Sequence, residues 1–183
     1  MAIPFVKGEM GGNRIVLLDG RAMALDRDLE VALRSLAPEA LHGHQAGILR
    51  PGDAPGEIRV RVVSVSWRDF IPACGGLTQV LGHALVGSPV ASWLGLEPAP
   101  SPWSVRLVFD AWPVPLVVHH DGQRVTRVEA DLSAFVDTCR EGGVHARTLD
   151  DVAAWQVGTF LVLDADRVRE VYPEVGVGAL NNK

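Results

Sequence analysis

The stretch from Gly75 to Val86 constrains the fold of this chain more than any other. Leu77, Val80, Leu81, Ala84 and Leu85 fall at i, i+3, i+4, i+7 and i+8, the spacing of one buried helical stripe. The other faces carry Thr78, Gln79, Gly82 and His83, with almost no charge. A helix this apolar all round needs to be enclosed, and the segments around it read mostly as strands. The histidine in it, His83, is expected to be a satisfied core residue.

The segments 3–7 and Arg14–Asp19 read as two strands, joined by Lys7–Asn13, whose three glycines suggest a turn with positive φ or a close backbone approach. Asp26–Leu36 reads as a helix with Leu29, Leu33 and Leu36 on one face and Asp26 as N-cap. In Glu57–Trp67, Ile58, Val60 and Val62 alternate, then the phase flips to Val63, Val65 and Trp67, the pattern a β-bulge produces. Pro72 ends that strand. Glu97–Trp103, with Pro98, Pro100 and Pro102, is a loop. Ser104–Ala111, Val114–His119 and Arg124–Ala130 are strand-like, and Asp121-Gly122 marks a hairpin turn. Val157–Asp164 reads as a strand and Asp164–Val171 as a short helix. Roughly eight strands accompany three or four helices, with no βαβ rhythm. The fold class is α+β, a curled antiparallel sheet or barrel around the Gly75–Val86 helix.

The chain has 183 residues and is 48% hydrophobic, enough for a core without disulfide staples. Its net charge of -5, with no basic run, argues against a nucleic-acid partner. No apolar run approaches the ~18 residues of a membrane span, and Met1-Ala-Ile-Pro-Phe5 does not read as a secretory leader. Two cysteines, Cys74 and Cys139, do not form a disulfide framework. The expected setting is a reducing cytoplasm with free thiols.

Pro72-Ala-Cys74-Gly-Gly-Leu-Thr-Gln79 runs from a strand end into the buried helix. The first helical turn has unpaired N–H groups and about half a positive charge. A thiol there is expected to have its thiolate stabilised and its pKa lowered towards neutrality. Glycines at 75 and 76 let an anion approach those N–H groups. A thiolate beside an anion site suits proton abstraction next to a carboxylate. A lone cysteine beside a buried helix also serves as a small hydrophobe, and spacing alone leaves both roles open.

Phe5-Val-Lys-Gly-Glu-Met-Gly-Gly-Asn13-Arg-Ile-Val-Leu-Leu-Asp19 resembles the opening of diaminopimelate epimerases, in which a Phe/Lys strand leads to Gly-x-Gly-Asn and a strand ending in Asp. Cys74-Gly75-Gly76 resembles that family's Cys-Gly-Asn, which opens its central helix, and the order and separation of the two motifs fit. The run Val105–Phe135 looks like the strands that follow, and Gly158–Pro173 like the crossover toward a second half. The resemblance implies a two-lobed fold with the site in the cleft between lobes and one cysteine from each lobe. One removes the α-proton and the other returns it on the opposite face, with no cofactor and no metal. By that resemblance Cys74 is the first-lobe acid/base, Gly75 and Gly76 offer N–H groups to the substrate carboxylate, and Asn13, beside Gly12, holds the substrate. Gln45 falls near a substrate-binding glutamine of the family.

The chain departs from the family where Gly76 replaces Asn and where no Asn precedes the cysteine in Ser64–Phe70. No second Cys-Gly-Thr segment exists; Cys139 is followed by charge in Asp137–Gly143 and is expected to be a bystander. Residues 1–183 therefore read as a single lobe, with 157–183 resembling the crossover toward a missing second lobe. Three arrangements follow: a partner chain supplies the second lobe as a heterodimer, two copies pair as a homodimer, or the lobe is a non-catalytic ligand-binding or regulatory one. The split enzyme ranks first, acting on an amino acid or other small carboxylate. An isomerase that moves a double bond in an unsaturated carboxylate is the alternative reading. A cysteine hydrolase finds no histidine beside an oxyanion site, and His42, His44, His83, His119 and His120 lack metal-ligand spacing. Trp93 and Trp103 flank the proline loop and are candidates for a partner surface if exposed.

Overall fold

The computed structural model describes residues 3–36, 42–110, 112–134, 137, 143–149, 152–157 and 160–173. The chain divides into two compact units, Met1–Leu132 and Ser133–Lys183.

The first unit is built on one sheet. Its strands are β1 (Phe5–Met10), β2 (Asn13–Asp19), β3 (Gln45–Pro51), β4 (Glu57–Ser64), β5 (Asp69–Ile71), β6 (Trp103–Phe109), β7 (Pro113–His120) and β8 (Val125–Ala130). The order is β1-β2-β3-β4-β6-β7-β8, with β5 also paired to β4. The helices are α1 (Asp28–Leu36), α2 (Gly75–Ala84) and the short α3 (Val90–Trp93). α2 packs against both edge strands, β1 and β8, as well as β2 and β7. A sheet whose two edges touch one helix has to curl around it, so the α+β class and the enclosed helix hold.

The sheet is mixed rather than antiparallel. β2 pairs β3 in parallel, and β4 pairs β6 in parallel. Parallel neighbours need a crossover, usually helical. α1 lies between β2 and β3, while α2 and α3 lie between β4 and β6. These are the βαβ units the sequence reading did not see.

The two crossovers cover opposite faces of the sheet, and that explains the phase flip in β4. Ile58, Val60 and Val62 join α2's Leu77 and Leu81 in one core cluster. Val63 joins α1's Ala32 and Leu36 with Val16, Leu18 and Ile48 in another. β3 and β4 pair in unbroken register from Gln45↔Ser64 to Pro51↔Ile58, so no bulge exists there. The run of apolar residues reflects a strand buried on both faces. β4 stops at Ser64, short of Trp67, and the chain turns through Arg68 at φ 54 into β5.

Other local expectations shift by small amounts. β1 continues through the glycine-rich stretch to Met10, and only Gly11 and Gly12, at φ 57 and 80, form the turn. Two central residues at positive φ fit a two-residue hairpin. Asp26 sits in an exposed 3-10 turn, Leu25–Arg27, and does not cap α1. Asp121 Oδ1 accepts from the N–H groups of Gln123 and Arg124, both at 2.8 Å, closing the β7–β8 hairpin as expected. Trp93 and Trp103 are buried, so they are core and not a partner surface; Trp67 and Trp155 are the exposed ones among the described residues, at 73% and 44%. His83 is exposed, not a core residue.

Two buried carboxylates tie the α1 face together. Asp28, 1% exposed, accepts from Arg50 at 2.7 and 2.8 Å and from Arg61 at 3.4 Å. Asp19 accepts from the Arg21 side chain at 2.9 and 2.7 Å and from its N–H at 3.1 Å. The Arg21 guanidinium holds the Asp19 carboxyl below the usual carboxylate range. A depressed folded-state pKa contributes stability above the ordinary carboxylate pKa, and that contribution is lost as pH falls through the folded value. Urea midpoints measured from pH 7 downward should therefore fall less steeply in Asp19→Asn than in the parent below about pH 4.

In the second unit, β9 (Val144–Leu149), β10 (Val152–Val157) and β11 (Phe160–Leu163) form an antiparallel sheet in the order β11-β10-β9. Asp164 caps α4 (Ala165–Val171), accepting from Asp166 N–H at 2.9 Å and Arg167 N–H at 3.2 Å. β9 and β10 were not anticipated, and the expected strand at 157–164 corresponds to β11, with residues 158–159 outside the described set. Cys139 and residues 174–183 also lie outside the described residues. Among the described residues no helix is long and apolar enough to cross a membrane.

Candidate active site

The side chains that carry chemistry converge at the N-terminus of α2. Alternation on β3 puts Gly47 against Leu77: a Cβ at residue 47 would stand 2.6 Å from Leu77 Cδ1. The bare backbone lets the first turn of α2 lie directly on β3. Gln45, two positions earlier on the same face, then falls beside the start of the helix. β2 runs parallel to β3 with Ile15 opposite Gln45. Asn13, two positions before Ile15, faces the same way. The chain enters from β5 through Pro72 and Ala73 and delivers Cys74 to the same spot.

Cys74 is the N-cap of α2, with extended backbone at φ -148 and ψ 115. Its Sγ accepts from Leu77 N–H at 3.3 Å and donates to Gln45 Oε1 at 2.7 Å. The same Gln45 oxygen accepts from Asn13 Nδ2 at 3.0 Å. Thr78 bonds back to the Cys74 carbonyl through its N–H at 3.0 Å and its hydroxyl at 3.1 Å, which fixes the turn. Cys74 is partly buried and free.

Of the residues singled out from sequence, Asn13, Gln45, Cys74 and Gly76 are thus together. A Cβ at Gly76 would lie 3.7 Å from Asn13 Nδ2 and 3.8 Å from Cys74 Sγ. Gly75 is exposed, and a Cβ there would meet nothing within 4 Å, so the helix start borders open space. Gly12 sits in the β1–β2 turn next to Asn13 and touches none of these groups through a side chain of its own.

The electrostatics run against the sequence expectation. Burial pushes the Cys74 thiol above its ordinary value, and the N–H groups of Leu77 and Gly76, which favour the thiolate, offset this only in part. The site at neutral pH therefore holds a thiol. A helix N-terminus lowers a cysteine pKa when water also reaches the sulfur. Here sheet and helix exclude much of it.

A separate cleft of about 430 Å³ lies between β1 and the second half of α2. Lys7, Glu9, Val80, His83 and Ser88 help to line it, and Cys74 does not. Among the described residues its titratable groups make no bonds with one another. The convergence of thiol and amides, rather than cleft size, places the candidate site at Cys74. No cluster of three or more metal-ligating side chains occurs among the described residues.

No family model matches the chain, and no curated protein matches it in sequence. Among solved structures it is similar to methylitaconate-delta-isomerase, with a TM-score of 0.59 and 18% identity. That match covers 91% of this chain and 54% of the isomerase chain. It is also similar to a predicted epimerase from Pseudomonas aeruginosa, at 20% identity and a TM-score of 0.43, covering 62% of this chain and 35% of that one. The chain thus spans about half the length of the isomerase and about a third of the epimerase. The likeness is one of fold: a mixed, curled sheet around a central helix.

Proposed function

We propose that this chain is one lobe of a cofactor-independent isomerase that moves a proton at the carbon next to a carboxylate. The observation that carries the reading is a partly buried thiol at the start of an enclosed helix, bonded into an amide pair from two strands. Cys74 is the acid/base group. In its thiol form it delivers a proton to carbon, and as thiolate it removes one. Asn13 and Gln45 supply amide groups to hold a small polar substrate against the sulfur. The open space at Gly75 leaves the helix N-terminus, with its partial positive charge, free for a carboxylate.

The substrate is an amino acid, which the enzyme epimerises or racemises. A partner chain supplies the second lobe and the second acid/base group, in a heterodimer, since reversal of configuration needs a proton source on each face of the carbon. The sequence resemblance to diaminopimelate epimerases supports the reaction, and the fold likeness supports the architecture. A second reading, a double-bond isomerase of an unsaturated carboxylate, is favoured by the likeness to methylitaconate-delta-isomerase.

Alkylation of Cys74 in the full chain, purified with whatever it associates with, tests the reading. Amino acids or unsaturated di- and tricarboxylates that occupy the site should slow alkylation several-fold, and the assembly's mass should include a second chain. Deuterium at the α-carbon of an amino acid then marks an epimerase; deuterium beside a shifted double bond marks the alternative. A reactive Cys74 that no member of either set protects would point to a non-catalytic lobe.

A further inference from the structure

The cluster at α2 also bears on where the proton rests, a question that presupposes Cys74 as the acid/base group. Gln45 Oε1 lies 2.7 Å from Cys74 Sγ and 3.0 Å from Asn13 Nδ2. An amide oxygen accepts hydrogen bonds and donates none. The contact to sulfur is therefore a bond only while the sulfur carries its proton; a thiolate would set two electron-rich atoms against each other. Asn13 Nδ2 donates to the same oxygen that accepts from the sulfur, so the acceptor end of the Gln45 amide faces both groups. Turned over, Gln45 would present its NH₂ group to the NH₂ of Asn13, donor against donor.

We propose that Gln45 is a positioning residue that reinforces the thiol form of Cys74: its oxygen, bonded by Asn13, adds to burial in keeping the resting site protonated, so that this lobe gives a proton before it takes one. In that step the S–H bond breaks and a C–H bond forms at a carbanion, which a base on the substrate's opposite face has generated. The thiolate left behind keeps the N–H groups of Leu77 and Gly76. It loses its bond to Gln45 until the proton returns or the amide turns. Running the reaction in the other direction starts from that thiolate and ends in the thiol state.

Among the described residues, the charged groups of β1, β2, β5 and α2 make no bond to the Cys74–Gln45 pair. Arg14 on β2 bonds His44 at 3.3 Å. Asp69 on β5 accepts from Phe70 N–H at 2.7 Å. Lys7 and Glu9 on β1 and His83 at the far end of α2 line the separate cleft. Among the described residues, the neutral amide of Gln45 is thus the side-chain group bonded to the thiol.

The test is the pH profile of iodoacetamide alkylation at Cys74, in the full chain carrying Cys139→Ser so that one thiol reports. Gln45→Leu removes the acceptor for the thiol proton and should move the midpoint down by about one pH unit. Gln45→Glu places a like charge beside the thiolate and should move it up by about one unit. Gln45→Asn keeps an amide that is too short to reach the sulfur; it should follow the leucine variant, and it replaces that variant if leucine does not fold. Any other pattern, including unmoved midpoints, overturns the proposal. The readout does not depend on turnover. Shifted midpoints without isotope exchange would sink the enzymatic reading and leave the proton assignment, and exchange with unmoved midpoints would do the reverse.

Discussion

Replacing Asp28 by alanine will lower the unfolding free energy of the protein by about 3–5 kcal/mol. Asp28 is the first residue of α1 and is 1% exposed, with Arg50 closing a two-point bond on it. Arg50 has only 15% of its side chain exposed, and Arg61, which also reaches Asp28, is stacked 3.7 Å above the Phe70 ring. Without the carboxylate, one buried guanidinium loses its counter-charge and a second loses part of its support. Small domains are stable by about 5–15 kcal/mol, so much of the margin disappears. The effect belongs to an orphaned charge and not to the pair as such. Asp28→Leu combined with Arg50→Met should therefore be less destabilised than the sum of the two single variants. Urea denaturation of the four proteins measures this. A single-variant loss below about 1 kcal/mol would mean that the pair behaves as an exposed one.

How far the sequence foretold the structure depended on the range of the interactions involved. α2 was readable because its apolar positions and the glycines before it are local, and Cys74 follows from the same stretch. The hairpins at Gly11-Gly12 and Asp121-Gly122 were readable because their turn chemistry is local too. The parallel pairs β2–β3 and β4–β6 were not, since each joins strands separated by a helical crossover. Missing them turned the double-sided burial of Val62 and Val63 into an expected bulge. His83 looked like core because its helix is apolar, yet its position falls where the curled sheet leaves α2 open. The direction of the Cys74 shift was misjudged for a related reason: helix-end charge is visible in sequence, whereas the depth of burial is set by the packing of α2 on the sheet, where β2 and β3 bring Asn13 and Gln45 to the sulfur. Asn13 and Gln45 came from resemblance to a family, and their meeting at one sulfur follows from the parallel register of β2 and β3. No sequence periodicity predicts that contact.

The larger effect is on chemistry. General acid–base groups commonly contribute 10²–10⁴-fold to rate. Serine at position 74 keeps the size and the hydrogen bonds of the thiol but has a far weaker acid, so it separates proton transfer from packing. The fold should survive, because the N-cap role suits serine well. The decisive measurement is α-proton exchange between substrate and deuterated water, catalysed by the assembly the chain purifies with. Cys74→Ser should reduce it by at least about 100-fold, and Cys139→Ser should leave it unchanged. Equal exchange in the two variants would contradict the assignment of Cys74 as the acid/base group.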